Sequence, residues 1–447
     1  MKTVQQLAAD LAAGNITSRE LVDRALARIA DPAGEGTRAF IKVYADTARA
    51  EADHSDRLRR AGIVRSRLEG LPVSVKDLFD VGGDVTRAGS KILADAAPAT
   101  ADAPAVARLR AAGAVIVGRT NMVEFAFGVV GANPHYGTPK NPHDRATGRV
   151  PGGSSSGAAV AQADGMCAIA LGTDTRGSIR VPSALCGVTG FKPTARRTPR
   201  EGAFPLSTTL DSVGPLANSV ACCAAADAVL AAEPAGELPA MPVRGLRLML
   251  PRSSVLEDLD TAVARAFETA LAALGKAGAL LTELPMPAFD RQAEYFKAGG
   301  FAGAEAYAIH KPWLARLDEY DPRVGRRVAL GQDLSAADYV ELIGLRAAYI
   351  GEVEAAAAPF DAILMPTVPC VAPGIAEATR SDEDYFRWNA RIFRNVGLIN
   401  FLDGCAATLP CQAPGTAPVG LAVCGTAMSD RRTLAVAAAI EGALAPA

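Results

Sequence analysis

Six short apolar runs punctuate the chain, at 71–75, 114–117, 167–171, 246–250, 362–365 and 419–423. Each is too short for a helix and too uniformly apolar for a half-exposed strand, so each reads as a strand buried on both faces. Segments with helical spacing lie between them. Val4, Leu7 and Leu11 share one helical face until Gly14-Asn15 breaks it. Thr17-Ser18-Arg19-Glu20 has the form of a capping box ahead of Leu21, Ala25, Leu26 and Ile29. The segments 104–112, 157–163, 261–276 and 431–444 also read as helices, with Pro104 in a first turn where its missing N–H is not needed. The Ala-rich patch 352–358 reads as ordinary helix, and the first 60 or so residues as helical throughout. The stretches 232–242 and 371–380, rich in Pro, Ala and Gly, read as exposed connections. Alternating strands and helices predict an α/β fold built on a sheet. No fixed-period repeat indicates a solenoid.

Length and composition narrow this picture. A chain of 447 residues is long for one domain but compatible with a large α/β one, and 49% apolar residues supply a sizeable core. A formal net charge of −2 argues against general nucleic-acid binding. No apolar run is long enough to span a membrane, and the N-terminal residues lack the apolar stretch of a signal peptide, so the expected compartment is the cytoplasm. The eight cysteines show no CxxC framework and read as small buried hydrophobes. Four histidines without an HExxH pattern give no reason to expect a metal, and no cofactor motif is present.

Candidate chemistry sits in two Gly/Ser-rich segments and one lysine. Pro151-Gly152-Gly153-Ser154-Ser155-Ser156-Gly157 precedes a helix, and Gly172-Thr173-Asp174-Thr175-Arg176-Gly177-Ser178-Ile179-Arg180 follows a strand. Lys76 ends the run Leu71-Pro72-Val73-Ser74-Val75. A serine nucleophile needs a base, and no histidine is near either segment in sequence. A lysine serves if burial or nearby positive charge holds it neutral. Lys76 reads either as that base or as an exposed lysine at a strand end. The 152–157 loop reads as a linker, a phosphate cradle or a catalytic loop. A P-loop would need a lysine that is absent, and a linker would not run directly into a helix. The 175–178 turn is either a plain glycine turn or a set of N–H groups aimed at a developing oxyanion.

Taken together these segments resemble the amidase signature family. Further matches are Gly118-Arg119-Thr120-Asn121-Met122-Val123-Glu124-Phe125, Gly190-Phe191-Lys192-Pro193-Thr194, Leu210-Asp211-Ser212-Val213-Gly214-Pro215 and Pro418-Val419-Gly420-Leu421, so the resemblance covers nearly the whole chain. It implies a large mixed twisted β-sheet covered on both faces by α-helices. It also implies one domain over 1–447, with an N-terminal helical segment at about 1–60 and a catalytic core at about 65–220. The implied triad is Ser178 as nucleophile, Ser154 as a bridging serine after a cis peptide, and Lys76 as base. Backbone N–H groups of Thr175, Arg176, Gly177 and Ser178 would face the oxyanion, and Ser155, Thr173, Asp174 and Arg180 would support them. For Asp174 and Arg180 a buried structural ion pair is the other reading.

The implied activity is cleavage of a small amide through an acyl-enzyme, giving a carboxylate and ammonia or an amine. The chain departs from the family at Arg176, where a small residue, most often Gly, is usual. Its side chain either enters the acyl pocket, where it would recognise a carboxylate or other polar group, or points into a neighbouring loop. Met122, Phe125 and Arg176 are the candidate substrate-binding residues, with Phe127 and Tyr136 beside them. The loops 122–130, 204–209, 291–306 and 384–400 are the expected pocket walls. The Ser154-Ser155-Ser156 loop and the run from Arg180 to Pro205 also look similar to carboxybiuret and allophanate-type hydrolases. Two other readings are the A subunit of a tRNA-dependent amidotransferase, a glutaminase working in a complex, and a non-catalytic binding module that keeps the fold. A homodimer is compatible with the sequence.

Overall fold

The computed structural model of the chain describes residues 2–234 and 236–445. Its strands are β1 (Phe40–Val43), β2 (Pro72–Lys76), β3 (Val115–Thr120), β4 (Ile169–Asp174), β5 (Thr189–Lys192), β6 (Ser212–Ala217), β7 (Arg247–Arg252), β8 (Leu280–Pro285), β9 (Ala362–Pro366), β10 (Cys405–Pro410) and β11 (Gly420–Gly425). They form one 11-stranded sheet in the order β1-β3-β2-β4-β6-β5-β10-β11-β9-β7-β8. The sheet is mixed: β2 runs parallel to β3 and β4, and β7 parallel to β8 and β9, while β4–β6 and β10–β11 are antiparallel.

All six apolar runs are strands, and their lack of polar alternation has a direct cause. Successive side chains of a strand point to opposite faces. Val115 and Val117 of β3 pack with Val22, Leu26, Ala158 and Ala159 on one face. Ile116 joins Val73, Val75, Ile169 and Leu171 on the other. Further along the sheet, Leu248, Leu250, Ala362 and Leu364 lie on one side, and Met249, Ile363 and Met365 on the opposite one. Helices cover both faces, so both sets of positions must be apolar.

The helices follow their sequence signals. Thr17 caps Ser18–Ala30 in a capping box with Glu20. Pro104–Ala111, Ser156–Ala163, Thr261–Lys276 and Asp430–Leu444 are helical, and the 352–358 patch closes the longer helix Ala336–Ala357. Two expectations need correction. The first 60 residues are not all helical, because Phe40–Val43 pairs antiparallel with β3 as a sheet edge. The 371–380 stretch is not an open connection, since Ala372, Pro373 and Ala378 are buried and Ile375–Ala378 forms a helical turn. The 232–242 stretch is exposed or half-buried, with residue 235 outside the described residues. Seven of the eight cysteines are buried and Cys411 is half-buried. Among the described residues no helix is long and apolar enough to cross a membrane.

One buried ion pair fixes the end of β2 that carries Lys76. Asp77 and Arg119 are both fully shielded from solvent. Arg119 Nε donates to Asp77 Oδ1 at 2.8 Å, and its Nη2 donates to the carbonyls of Asp77 and Phe79, each at 2.8 Å. Asp77 Oδ2 also accepts the N–H of Gly89 at 2.9 Å. Removing one partner of such a pair strands the other charge in the interior. Arg119→Met should therefore lower the free energy of unfolding in urea by about 3–5 kcal/mol. A loss below about 1 kcal/mol, the scale of an exposed pair, would show that the pair does not hold this strand end.

Candidate active site

Pairing of Val75 with Leu171 brings the end of β2 beside the end of β4, so Lys76 lies against Thr173. Lys76 is fully buried, which rules out the exposed-lysine reading. Its Nζ is 2.8 Å from Ser154 Oγ and 2.9 Å from Thr173 Oγ1. Burial pushes its pKa down from 10.5 to about 7, against the opposing pull of the Asp174 and Asp211 charges. A neutral amine has two N–H donors and one lone pair, so Nζ can donate to Thr173 and accept the Ser154 hydroxyl proton.

Ser154 is fixed by the loop around it. The Gly153–Ser154 peptide is cis. Gly153 N–H donates to the Val129 carbonyl at 2.8 Å, and the Ser154 carbonyl accepts from Val123 N–H at 3.0 Å. The helix Ser156–Ala163 starts at once, so the segment is not a linker. Ser155 ties the two Gly/Ser segments together. Its N–H donates to the Ser178 carbonyl at 3.3 Å, and its Oγ to the Thr173 carbonyl at 3.4 Å. Ser178 opens onto a cavity. No hydrogen bond joins its Oγ to Ser154 Oγ in this structure, whereas the Lys76–Ser154 contact is already made.

The turn before Ser178 is organised by Asp174. Its carboxylate accepts the N–H groups of Gly177 at 2.7 Å, Ile179 at 3.1 Å and Arg180 at 3.3 Å. It also takes Arg180 Nε and Nη2, each at 3.0 Å. Burial alone would raise its pKa, yet Arg180, Lys192 and Asn400 together hold it well below the usual carboxylate range. Asn400, 220 residues from Arg180 in sequence, accepts from Arg180 Nη2 at 2.5 Å and donates to Asp174 Oδ1 at 2.9 Å. Asp174 and Arg180 are thus a buried ion pair, and the pair also shapes the turn.

This changes the expected oxyanion set. Gly177 N–H is occupied by Asp174, so it is not a free donor. The N–H groups of Thr175, Arg176 and Ser178 meet no acceptor in loops or caps and remain available. The left-handed conformation falls on Gly177, at φ +119°, where a Cβ would lie 2.4 Å from Val396 Cγ2. Arg176 is not among the residues with positive φ, so the backbone there accepts a side chain without strain. Asp211, half-buried with its pKa pushed up to about 6 by desolvation, accepts from Thr175 Oγ1 at 2.5 Å and steadies the same turn.

The cavity beside Ser178 has a volume of about 240 Å³. All four loops read as pocket walls contribute: 126–129, Leu206, residues 296–302, and Asn389 with Phe393. Arg176 lines the cavity. Its guanidinium carbon lies 3.8 Å from the Phe296 ring centre and 4.2 Å from that of Phe393. Arg327, which the sequence did not single out, lines the same wall. Its Nη1 donates to the Phe127 carbonyl.

Two expected substrate contacts are corrected. Met122 is fully buried and lines no part of this cavity. Phe125 is core as well, with ring centres 4.5 Å from His310, 5.0 Å from Phe204 and 5.1 Å from Tyr320. Tyr136 lies elsewhere and donates to the Ser90 carbonyl at 3.2 Å. Phe127 does line the cavity.

Comparison with known proteins agrees with this geometry. Residues 20–434 match the Amidase family model. The chain is 38% identical over 402 residues to 2-amino-5-chloromuconic acid deaminase of Comamonas testosteroni, covering 88% of this chain and 86% of that one. It is also 38% identical over 391 residues to AtzE, a 1-carboxybiuret hydrolase component of Pseudomonas sp. (strain ADP), covering 84% and 83%. Against the A subunit of glutamyl-tRNA(Gln) amidotransferase from Roseiflexus castenholzii the identity is 35% over 479 residues, covering 98% and 95%. A crystal structure of an amidase superimposes with a TM-score of 0.87 at 33% identity, covering 99% of each chain. The chain belongs to the amidase family and is a hydrolase of carbon–nitrogen bonds in linear amides.

Proposed function

We propose that this amidase works through Lys76, Ser154 and Ser178. The observation that carries the reading is a buried lysine, with its pKa brought down to about 7, 2.8 Å from Ser154 Oγ. Substrate enters the cavity with its amide carbon against Ser178. Lys76 Nζ takes the Ser154 proton as Ser154 takes that of Ser178. Ser178 Oγ bonds to the carbonyl carbon, and the oxygen gains a negative charge facing the free N–H groups of Thr175, Arg176 and Ser178. The tetrahedral centre collapses, the C–N bond breaks, and the leaving nitrogen takes the proton back through Ser154. Water then repeats the sequence on the ester, releasing a carboxylate and restoring Ser178. Thr173 and Ser155 hold Lys76 and the two serine segments in place, and Asp174 with Arg180 holds the turn.

The reading extends to organisation. Residues 1–447 act as one domain, supported by the single sheet that runs through it, with the chemistry concentrated in about 65–220. We place the protein in the cytoplasm, supported by eight cysteines that are all free; a homodimer is compatible with the sequence. A second reading, the glutaminase component of an amidotransferase, is favoured by the near-complete overlap with the A subunit of such an enzyme. Ammonia release from glutamine only when the other components of that complex are added would select it, and amide hydrolysis by the chain alone would reject it.

Two outcomes test the triad. Ser178→Ala should reduce ammonia release by at least about 10⁴-fold while the circular dichroism spectrum is kept. A rate within about tenfold of the unmutated enzyme would remove Ser178 from the nucleophile's role. For pH, only the neutral amine accepts a proton. The pKa is lowered, so the active form gains as pH rises through about 7, and kcat/KM should fall with an acid limb near that value. Lys76→Ala should cut the rate by about 10²–10⁴-fold and abolish that limb. Persistence of the limb in the variant would assign it to another group.

A further inference from the structure

The cavity beside Ser178 holds charge that the fold leaves unanswered. Arg176 and Arg327 both line it, and among the described residues no Asp or Glu does. Nε and Nη2 of Arg176 and Nη2 of Arg327 have no hydrogen-bond partner. Burial disfavours the charge on Arg176, and the like charge of Arg327 disfavours it further. Arginine keeps its proton in proteins, so both groups stand in this largely apolar space as cations. Phe296 and Phe393 stack on the Arg176 guanidinium but supply no acceptor. Cations are held in such places when an opposite charge completes them. Here the opposite charge has to come with the ligand.

The remaining groups of the wall point to the same chemistry. Asn389 Oδ1 accepts the N–H of Val129 at 3.0 Å, so its Nδ2 is the part left to bind. The Phe127 carbonyl is taken by Arg327 Nη1. Arg176, Arg327 and Asn389 therefore present N–H donors, and the hydroxyls of Thr175 and Ser178 are the remaining polar side-chain groups of the lining. A planar anion with two oxygens suits guanidinium donors, and a cavity of about 240 Å³ restricts it to a small molecule.

Resting on the amidase reading above, we propose that the substrate is an amide whose acyl group ends in a carboxylate, received by Arg176 and Arg327 while the amide carbon meets Ser178. The anion neutralises both guanidinium groups and fixes which carbonyl reaches the nucleophile. A neutral acyl chain leaves both cations without a counter-charge, so it is rejected.

The test is a matched series. Ammonia release is measured for the mono-amides of the linear dicarboxylic acids of three to six carbons, each against the amide lacking the terminal carboxylate. The unmutated enzyme should favour the best acidic amide over its neutral match by at least about 100-fold in kcat/KM. In Arg176→Gln and in Arg327→Gln that ratio should fall by at least about tenfold. Reaction of Ser178 with a fluorophosphonate, followed by intact mass, reports that each variant's site is assembled. A preference below about tenfold, an unchanged ratio in both variants, or no release from any of these amides by an enzyme whose Ser178 is still labelled overturns the inference. Absence of both release and labelling in the unmutated enzyme overturns the amidase reading beneath it.

Discussion

The site is built around a lysine, Lys76, whose ammonium is taken out of water. At the end of a fully buried strand, the charged form loses its hydration and finds hydroxyls in place of a carboxylate partner. Asp174 and Asp211 pull the other way, but Asp174 is occupied by Arg180 and three backbone N–H groups, and Asp211 by Thr175 and two backbone N–H groups. Their fields are spent locally, and desolvation prevails. The position is a product of the sheet. β2 lies between β3 and β4, helices cover both faces, and the Asp77–Arg119 pair closes the strand end.

The Asp174 turn is the second half of the design. One carboxylate gathers Gly177, Ile179 and Arg180, and in doing so leaves the neighbouring N–H groups at 175, 176 and 178 without acceptors. An ion pair buried this deeply contributes little net stability compared with an apolar replacement. Its value lies in geometry, because it fixes the turn that carries those N–H groups. The same turn carries Arg176, so one segment supplies both Ser178 and Arg176 to the lining of the cavity.

Much of this was legible in the sequence, for physical reasons. Strands buried on both faces are uniformly apolar, so β2, β3, β4, β7, β9 and β11 stood out. β5, β6 and β10 are built largely from Thr, Gly, Pro and Ala, and β8 is mostly exposed at the sheet edge, so none carried that signal. Lys76, Ser154 and Ser178 lie in compact motifs that local spacing reveals. Asn400, Arg327 and the role of Asp211 could not be found that way, since each reaches the site only through long-range packing. Phe125 and Met122 lie within a motif, but their side chains turn into the core. The reading of Gly177 failed because a nearby carboxylate competes for its N–H, which no motif records.

The most direct measurement of the central claim needs no knowledge of the substrate. The rate at which a fluorophosphonate modifies the protein is followed by mass spectrometry as a function of pH, with peptide mapping of the labelled residue. The account predicts modification at Ser178, with a rate that rises through a midpoint near 7 as Lys76 loses its proton. Labelling at another serine, or a rate at Ser178 that does not change across that range, would contradict it.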